Sequence, residues 1–354
     1  MIALPIGVLA IGLTAYLRLM DIGNPINRSV TDYFGRPEPL SPYKTNWAQV
    51  NVLVPVPYVG ANYMPGIRGH YVNTNDLGYR GVTHHERIIE DARALKLAGF
   101  KIVIFTGGSA AFGAYSDDDE TTITAYLNLL LTKAGRRVKV YNFAMGSYTS
   151  DDELASVVMY ALDTSPDLLV VMDGYNDAVR GSLESYAMGV GIPYAYDTIR
   201  KAYQVPFQST FLDKKYEVGS AEAFEAIRKR YERNLKRMKT LMESNGGRVL
   251  FTTQPLKHYN NHTLNCQQNK GGFLDFVILQ YPKLAQTGQE AGGNDGYLDL
   301  SNAFSGFTDA CPFFVDRIHM SSAGQQVIAR QLLPLILRKL QIPVLTKQEQ
   351  HLLE

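Results

Sequence analysis

Lys101-Ile102-Val103-Ile104-Phe105-Thr106-Gly107-Gly108-Ser109-Ala110-Ala111-Phe112-Gly113 is the stretch that decides the fold. Ile102 to Phe105 are apolar at consecutive rather than alternate positions, the pattern of a short strand buried on both faces. Gly107-Gly108 then ends the run in a turn, and Ser109 opens the next segment. Three more strands are expected downstream: Val138 to Phe143, Asp167 to Met172 (DLLVVM) and Arg248 to Thr253.

Helical patterns separate the runs. Thr122, Tyr126, Leu129 and Leu130 fall on one face of the first, and Ser150-Asp151-Asp152-Glu153 reads as a capping box opening the second. Ser220 caps a long third helix whose apolar residues, from Phe224 and Ile227 to Leu241, step by three or four until Gly246-Gly247. Strands apolar throughout, alternating with helices, predict a three-layer α/β/α sandwich with a central parallel sheet.

The chain has 354 residues, 35 basic and 34 acidic side chains and a formal net charge of +1. That balance leaves no surplus of Lys and Arg for phosphate backbones, so no nucleic-acid partner is expected. With Cys266 and Cys311 alone and no C-x-x-C, a thiolate-rich zinc site is out of reach. His258, His262 and Cys266 step by four, but Asn260, Asn261 and Asn265 disfavour a helix there, and no metal is expected.

Residues 1–17 (MIALPIGVLAIGLTAYL) carry no charge. Three readings point to membrane association or export: a short membrane anchor, the apolar core of a signal peptide, or the tail of a longer span; the other reading is a buried apolar arm. The first three lead to an expected place on the extracytoplasmic side, exported or membrane-anchored. In an oxidising compartment Cys266 and Cys311 would pair; two unpaired thiols are the other reading. The expected organisation is an anchor or signal segment at 1–20, an irregular extension at 21–100, a catalytic domain at 101–342 with a Tyr-rich lid insertion at 181–219, and a tail at 343–354.

In an open α/β sheet, ligands bind at the carboxyl ends of the strands. The first strand ends at Ser109, the second leads to Gly146 through Asn142-Phe143-Ala144-Met145, and the third to Gly174-Tyr175-Asn176-Asp177. Asp316-Arg317-Ile318-His319 lies near the end of the chain. Acyl transfer needs this set of groups. A Ser hydroxyl needs a base, His is the side chain best suited near neutral pH, and the His needs an acceptor on its other nitrogen. The developing oxyanion needs preorganised donors, which the amides of Ser109 and Gly146 and the Asn176 side chain could supply. Taken singly, each motif has a structural reading as a turn or a cap. The G-x-x-x-x-G-K-[ST] phosphate loop is absent, and G-x-S-x-G fails at Ala111.

At these residues the sequence resembles the SGNH, or GDSL-like, hydrolases, block by block: Gly107-Gly108-Ser109, Gly146, Gly174-x-Asn176-Asp177, and Asp316-x-x-His319. The resemblance implies a flavodoxin-like core, Ser109 as nucleophile, His319 as base, Asp316 as its orienter, and Ser109, Gly146 and Asn176 as the oxyanion hole. Gly108 stands where the G-D-S form has Asp. Asn75-Asp76-Leu77-Gly78-Tyr79-Arg80-Gly81 resembles a stretch upstream of the catalytic domain in exported or anchored members. Arg80, Gly108 and Tyr175 are candidate substrate contacts; for Arg80 the other reading is a structural carboxylate partner.

The resemblance implies a serine esterase acting on a small-molecule or carbohydrate ester, with an O-acetyl group on polysaccharide as the expected substrate. An acyltransferase using the same site and a non-catalytic membrane-associated subunit retaining the fold remain as alternatives. The mechanism runs on side chains and amides, so no cofactor is called for. The sequence leaves the oligomeric state open.

Overall fold

The computed structural model describes residues 53–56, 58–183, 220–256, 272–307, 309–346 and 349. These belong to one unit, Pro42–Gly191 with Asp213–Glu354; the other, Met1–Ser41 with Ile192–Leu212, lies outside the described residues. So do the apolar opening stretch, most of the expected lid, Cys266, and His258 and His262. Among the described residues no helix is long and apolar enough to cross a membrane.

An antiparallel hairpin, β1 (Leu53–Val56) and β2 (Gly60–Tyr63), comes first, followed by α1 (His85–Leu97). The main domain begins with β3 (Lys101–Gly107), α2 (Ser109–Phe112), α3 (Ile123–Lys133) and β4 (Val138–Asn142). Next come α4 (Ser150–Ser156), β5 (Leu168–Asp173), α5 (Tyr175–Leu183), α6 (Ala221–Ser244) and β6 (Arg248–Thr253). The domain closes with α7 (Gly272–Gly292), β7 (Tyr297–Leu298) and α8 (Ser322–Lys339).

β3 to β7 form one parallel sheet in the order β4-β3-β5-β6-β7. Ile102 to Phe105 and Leu168 to Met172 are fully buried, as runs sandwiched between two helical layers must be. Helix α3 packs against α8, whereas α4, α5 and α7 pack against or beside α6. This is the expected three-layer α/β/α sandwich. The chain leaves β3 for β4 on one side and later returns to β5 on the other. The loops after β3 and β5 therefore diverge, opening a crevice at the carboxyl edge.

Three local expectations are corrected. The capping box that opens α4 is Thr149 with Asp152, one residue before the expected pair, and the Asp152 carboxylate accepts from the Thr149 amide at 2.9 Å. The buried stripe of α3 is Ile123, Leu127, Leu130 and Leu131, because Thr122 serves as its N-cap, and Leu129 is exposed. The extension at 21–100, expected to be irregular, holds the β1–β2 hairpin and α1 among its described residues.

Candidate active site

β3 ends at Gly107, where φ is +149° and a Cβ would overlap the Met172 carbonyl of neighbouring β5. Only glycine tolerates that approach, and it lets the chain turn sharply into α2. Ser109 is the first residue of α2, so its amide has no acceptor within the helix. The Gly146 amide, in the loop after β4, donates to no backbone carbonyl among the described residues.

The loop after β5 is fastened to the loop after β4. Asp177 accepts from the Ser150 hydroxyl at 2.7 Å and the Ser150 amide at 3.1 Å, which draws Ser150 away from the capping role expected of it. Asn176 Nδ2 then donates to the Tyr148 carbonyl at 2.7 Å. An amide nitrogen carries two hydrogens, so one remains for a ligand. Gly108 sits beneath this group: a Cβ there would lie 2.6 Å from Asn176 Nδ2. Its missing side chain makes room for the Asn176 amide.

The segment carrying Asp316 and His319 is pinned before α8. The Val315 amide donates to the His319 carbonyl at 3.0 Å, and Gln254, just past β6, donates to the Ile318 carbonyl at 3.1 Å. Asp316 Oδ1 accepts from the amides of Ile318 (2.8 Å) and His319 (2.7 Å), and Oδ2 meets His319 Nδ1 at 2.6 Å. Burial alone would raise the Asp316 carboxyl. The His319 charge, its ring N–H and the two amides outweigh burial and hold the carboxyl below the usual carboxylate range. With Nδ1–H given to Asp316, His319 Nε2 is left as the acceptor for the Ser109 hydroxyl, 2.7 Å away across 210 residues of sequence.

Tyr115, not singled out from the sequence, packs its ring edge-on against His319 at 5.0 Å. Its φ of +65°, and that of Ser147 beside Gly146, are rare for non-glycine residues, and both flank the site. No sequence signal marks either residue. Of the two readings of Arg80, the structure supports the structural carboxylate partner over the substrate contact. Arg80 is buried, and its guanidinium is committed to Asp119 at 2.7 Å and to the carbonyls of Gly113, Tyr71 and Asp118. It braces the C-terminal end of α2 and does not point to a ligand. Tyr175 is buried at the start of α5, close enough to Asp316 and Arg317 to feel both charges.

Behind Asn176 lies a buried carboxyl cluster of Glu153, Asp173 and Asp177. Glu153 and Asp173 face each other as a hydrogen-bonded carboxyl pair, and Asp173 also accepts from the Tyr231 hydroxyl at 2.6 Å. Burial, and then the neighbouring carboxylates, push Glu153 and Asp173 well above the usual range. Their protons are held more tightly in the folded than in the unfolded chain. The stabilisation is complete below about pH 4, the unfolded carboxylate range, and is lost as pH rises above it. Melting temperature is expected to fall between pH 5 and pH 9, and Glu153→Gln to flatten that fall. Parallel melting curves for wild type and variant would contradict this assignment.

Among solved structures, the chain is similar to an acetyl xylan esterase, AlAXEase, at 15% identity over 65% of this chain and 97% of that one, TM-score 0.42. It is similar to Axe2, an acetylxylan esterase from Geobacillus stearothermophilus, at 17% identity over 70% and 97%, TM-score 0.43. TesA is similar at 17% identity over 68% and 99%, TM-score 0.43. No curated protein matches. The model of the GDSL-like lipase/acylhydrolase family matches residues 103–332, well over half the sequence and enclosing the segment from Ser109 to His319, so the chain belongs to that family and is a carboxylic ester hydrolase.

Proposed function

We propose that the chain is a serine esterase that removes O-acetyl groups from carbohydrate through a Ser109-His319-Asp316 triad and an acyl-enzyme. The reading is carried by the relay of 2.7 Å from Ser109 Oγ to His319 Nε2 and 2.6 Å from His319 Nδ1 to Asp316. Ser109 Oγ attacks the acyl carbonyl carbon as its proton passes to His319 Nε2, and Asp316 stabilises the imidazolium. The carbonyl oxygen becomes an oxyanion facing the Ser109 and Gly146 amides and the free Asn176 hydrogen. Collapse breaks the bond to the sugar oxygen, which takes the proton from His319. Water, deprotonated by the same His319, then attacks the acyl-enzyme; the bond from the acyl carbon to Ser109 Oγ breaks, Ser109 takes its proton back from His319, and acetate leaves.

The carbohydrate assignment draws on the tyrosines within 186–216, whose rings suit stacking on sugars. Incubation with p-nitrophenyl acetate and with an acetylated oligosaccharide is expected to release one acetate for each hydroxyl uncovered. Acetyl appearing on an added sugar faster than in water would make the chain an acyltransferase. No turnover of either ester would overturn the reading.

A further inference from the structure

Tyr63, the last residue of β2, is separated from the sandwich in sequence but sits among its catalytic segments. Its amide donates to Met145 Sδ at 3.2 Å, and its ring packs edge-on against Phe112, one helical turn after Ser109, with centroids 4.9 Å apart. A Cβ built on Gly146 would overlap the Tyr63 hydroxyl and the ring carbon that bears it. The hydroxyl therefore lies directly against the Gly146 backbone. It is also near enough to feel Tyr115, whose ring rests on His319. The segments carrying the nucleophile and the oxyanion glycine thus both approach this one phenol, and Tyr115 stands between it and the base.

Tyr63 is 5% exposed, yet its hydroxyl makes no hydrogen bond to any described residue. It is also absent from the polar atoms sealed off from solvent, so it opens onto accessible space. A hydroxyl so nearly enclosed, bonded to no described residue and open on one side, can give its hydrogen to an oxygen that enters beside Gly146. Burial raises its ionisation further above neutrality, so the group stays O–H and can donate. We propose that the Tyr63 hydroxyl, brought in by the N-terminal hairpin, is a fourth donor of the oxyanion hole beside Gly146. This rests on the acyl-transfer reading above. Tyr63 takes no proton and forms no bond in the reaction; it adds a hydrogen bond to the oxygen that becomes negative. Its place against the backbone also explains why position 146 is glycine.

Tyr63→Phe removes one oxygen and keeps the ring on Phe112, so the test is a comparison of p-nitrophenyl acetate kinetics for wild type, Tyr63→Phe and Tyr58→Phe. Tyr58, in the turn of the same hairpin and 84% exposed, is the control. Tyr63→Phe is expected to lower kcat about a hundredfold with KM within about twofold, the split produced by a donor used only in the transition state. Its rate of fluorophosphonate labelling should fall in parallel, and Tyr58→Phe should match wild type. Melting curves of all three proteins place the assays below unfolding. A kcat for Tyr63→Phe within about twofold of an active wild type would overturn the inference alone. An inactive, unlabelled wild type would overturn the esterase reading and this inference with it.

Discussion

Ser109→Ala is expected to lower kcat/KM for p-nitrophenyl acetate by about 10⁵-fold or more, the scale on which losing a triad nucleophile acts. The residual rate would come from the oxyanion donors and substrate binding, which the substitution leaves in place. Ser109 is the first residue of a short helix, and its side chain bonds only His319 among the described residues, so no core contact is lost. The melting temperature should therefore stay near that of wild type. A variant that keeps a tenth of wild-type activity would show that another group attacks the ester.

Asp316→Asn is expected to cost about 10⁴-fold in kcat, because it changes the proton inventory without removing the side chain. Asp316 Oδ1 accepts from two backbone amides, and an Asn oxygen can accept from the same two. The Asn NH₂ then faces His319 Nδ1, now 2.6 Å from a carboxylate oxygen. Two N–H groups cannot share that contact. The imidazole must move its hydrogen to Nε2, where it no longer accepts from Ser109. KM should change little, since neither group holds the substrate. An Asp316→Asn enzyme within tenfold of wild type would mean that the tautomer is fixed by something else.

Much of this site was legible in the sequence because the chemistry restricts residue type and the fold restricts position. Ser109 and Asn176 each come after a strand whose apolar run is plain, Gly146 follows a strand that Lys139 and Asn142 interrupt, and Asp316 and His319 are close enough in sequence to share one turn. Of the other elements, β7 is two residues long and α7 carries Pro282 inside it, so neither shows a clean period. The capping box was ambiguous by one residue, since Thr149-x-x-Asp152 and Ser150-x-x-Glu153 both fit. Asp177 decides between them by taking Ser150 as its own partner. Arg80 and Tyr63 show the limit most clearly. The sequence left Arg80 between a substrate role and a structural carboxylate, and only the fold gives it to Asp119 and three carbonyls. Tyr63 in an unremarkable hairpin reaches Met145, in the loop after β4, 82 residues away, a contact no local pattern encodes.

Whether Ser109 is a nucleophile activated by His319 is settled by treating the folded protein with a fluorophosphonate and mapping the adduct by peptide mass spectrometry. One phosphonylated serine, Ser109, is expected, with labelling abolished in Ser109→Ala and strongly slowed in His319→Ala. Folded wild type that takes up no label, or that carries it on another serine, would contradict the triad mechanism.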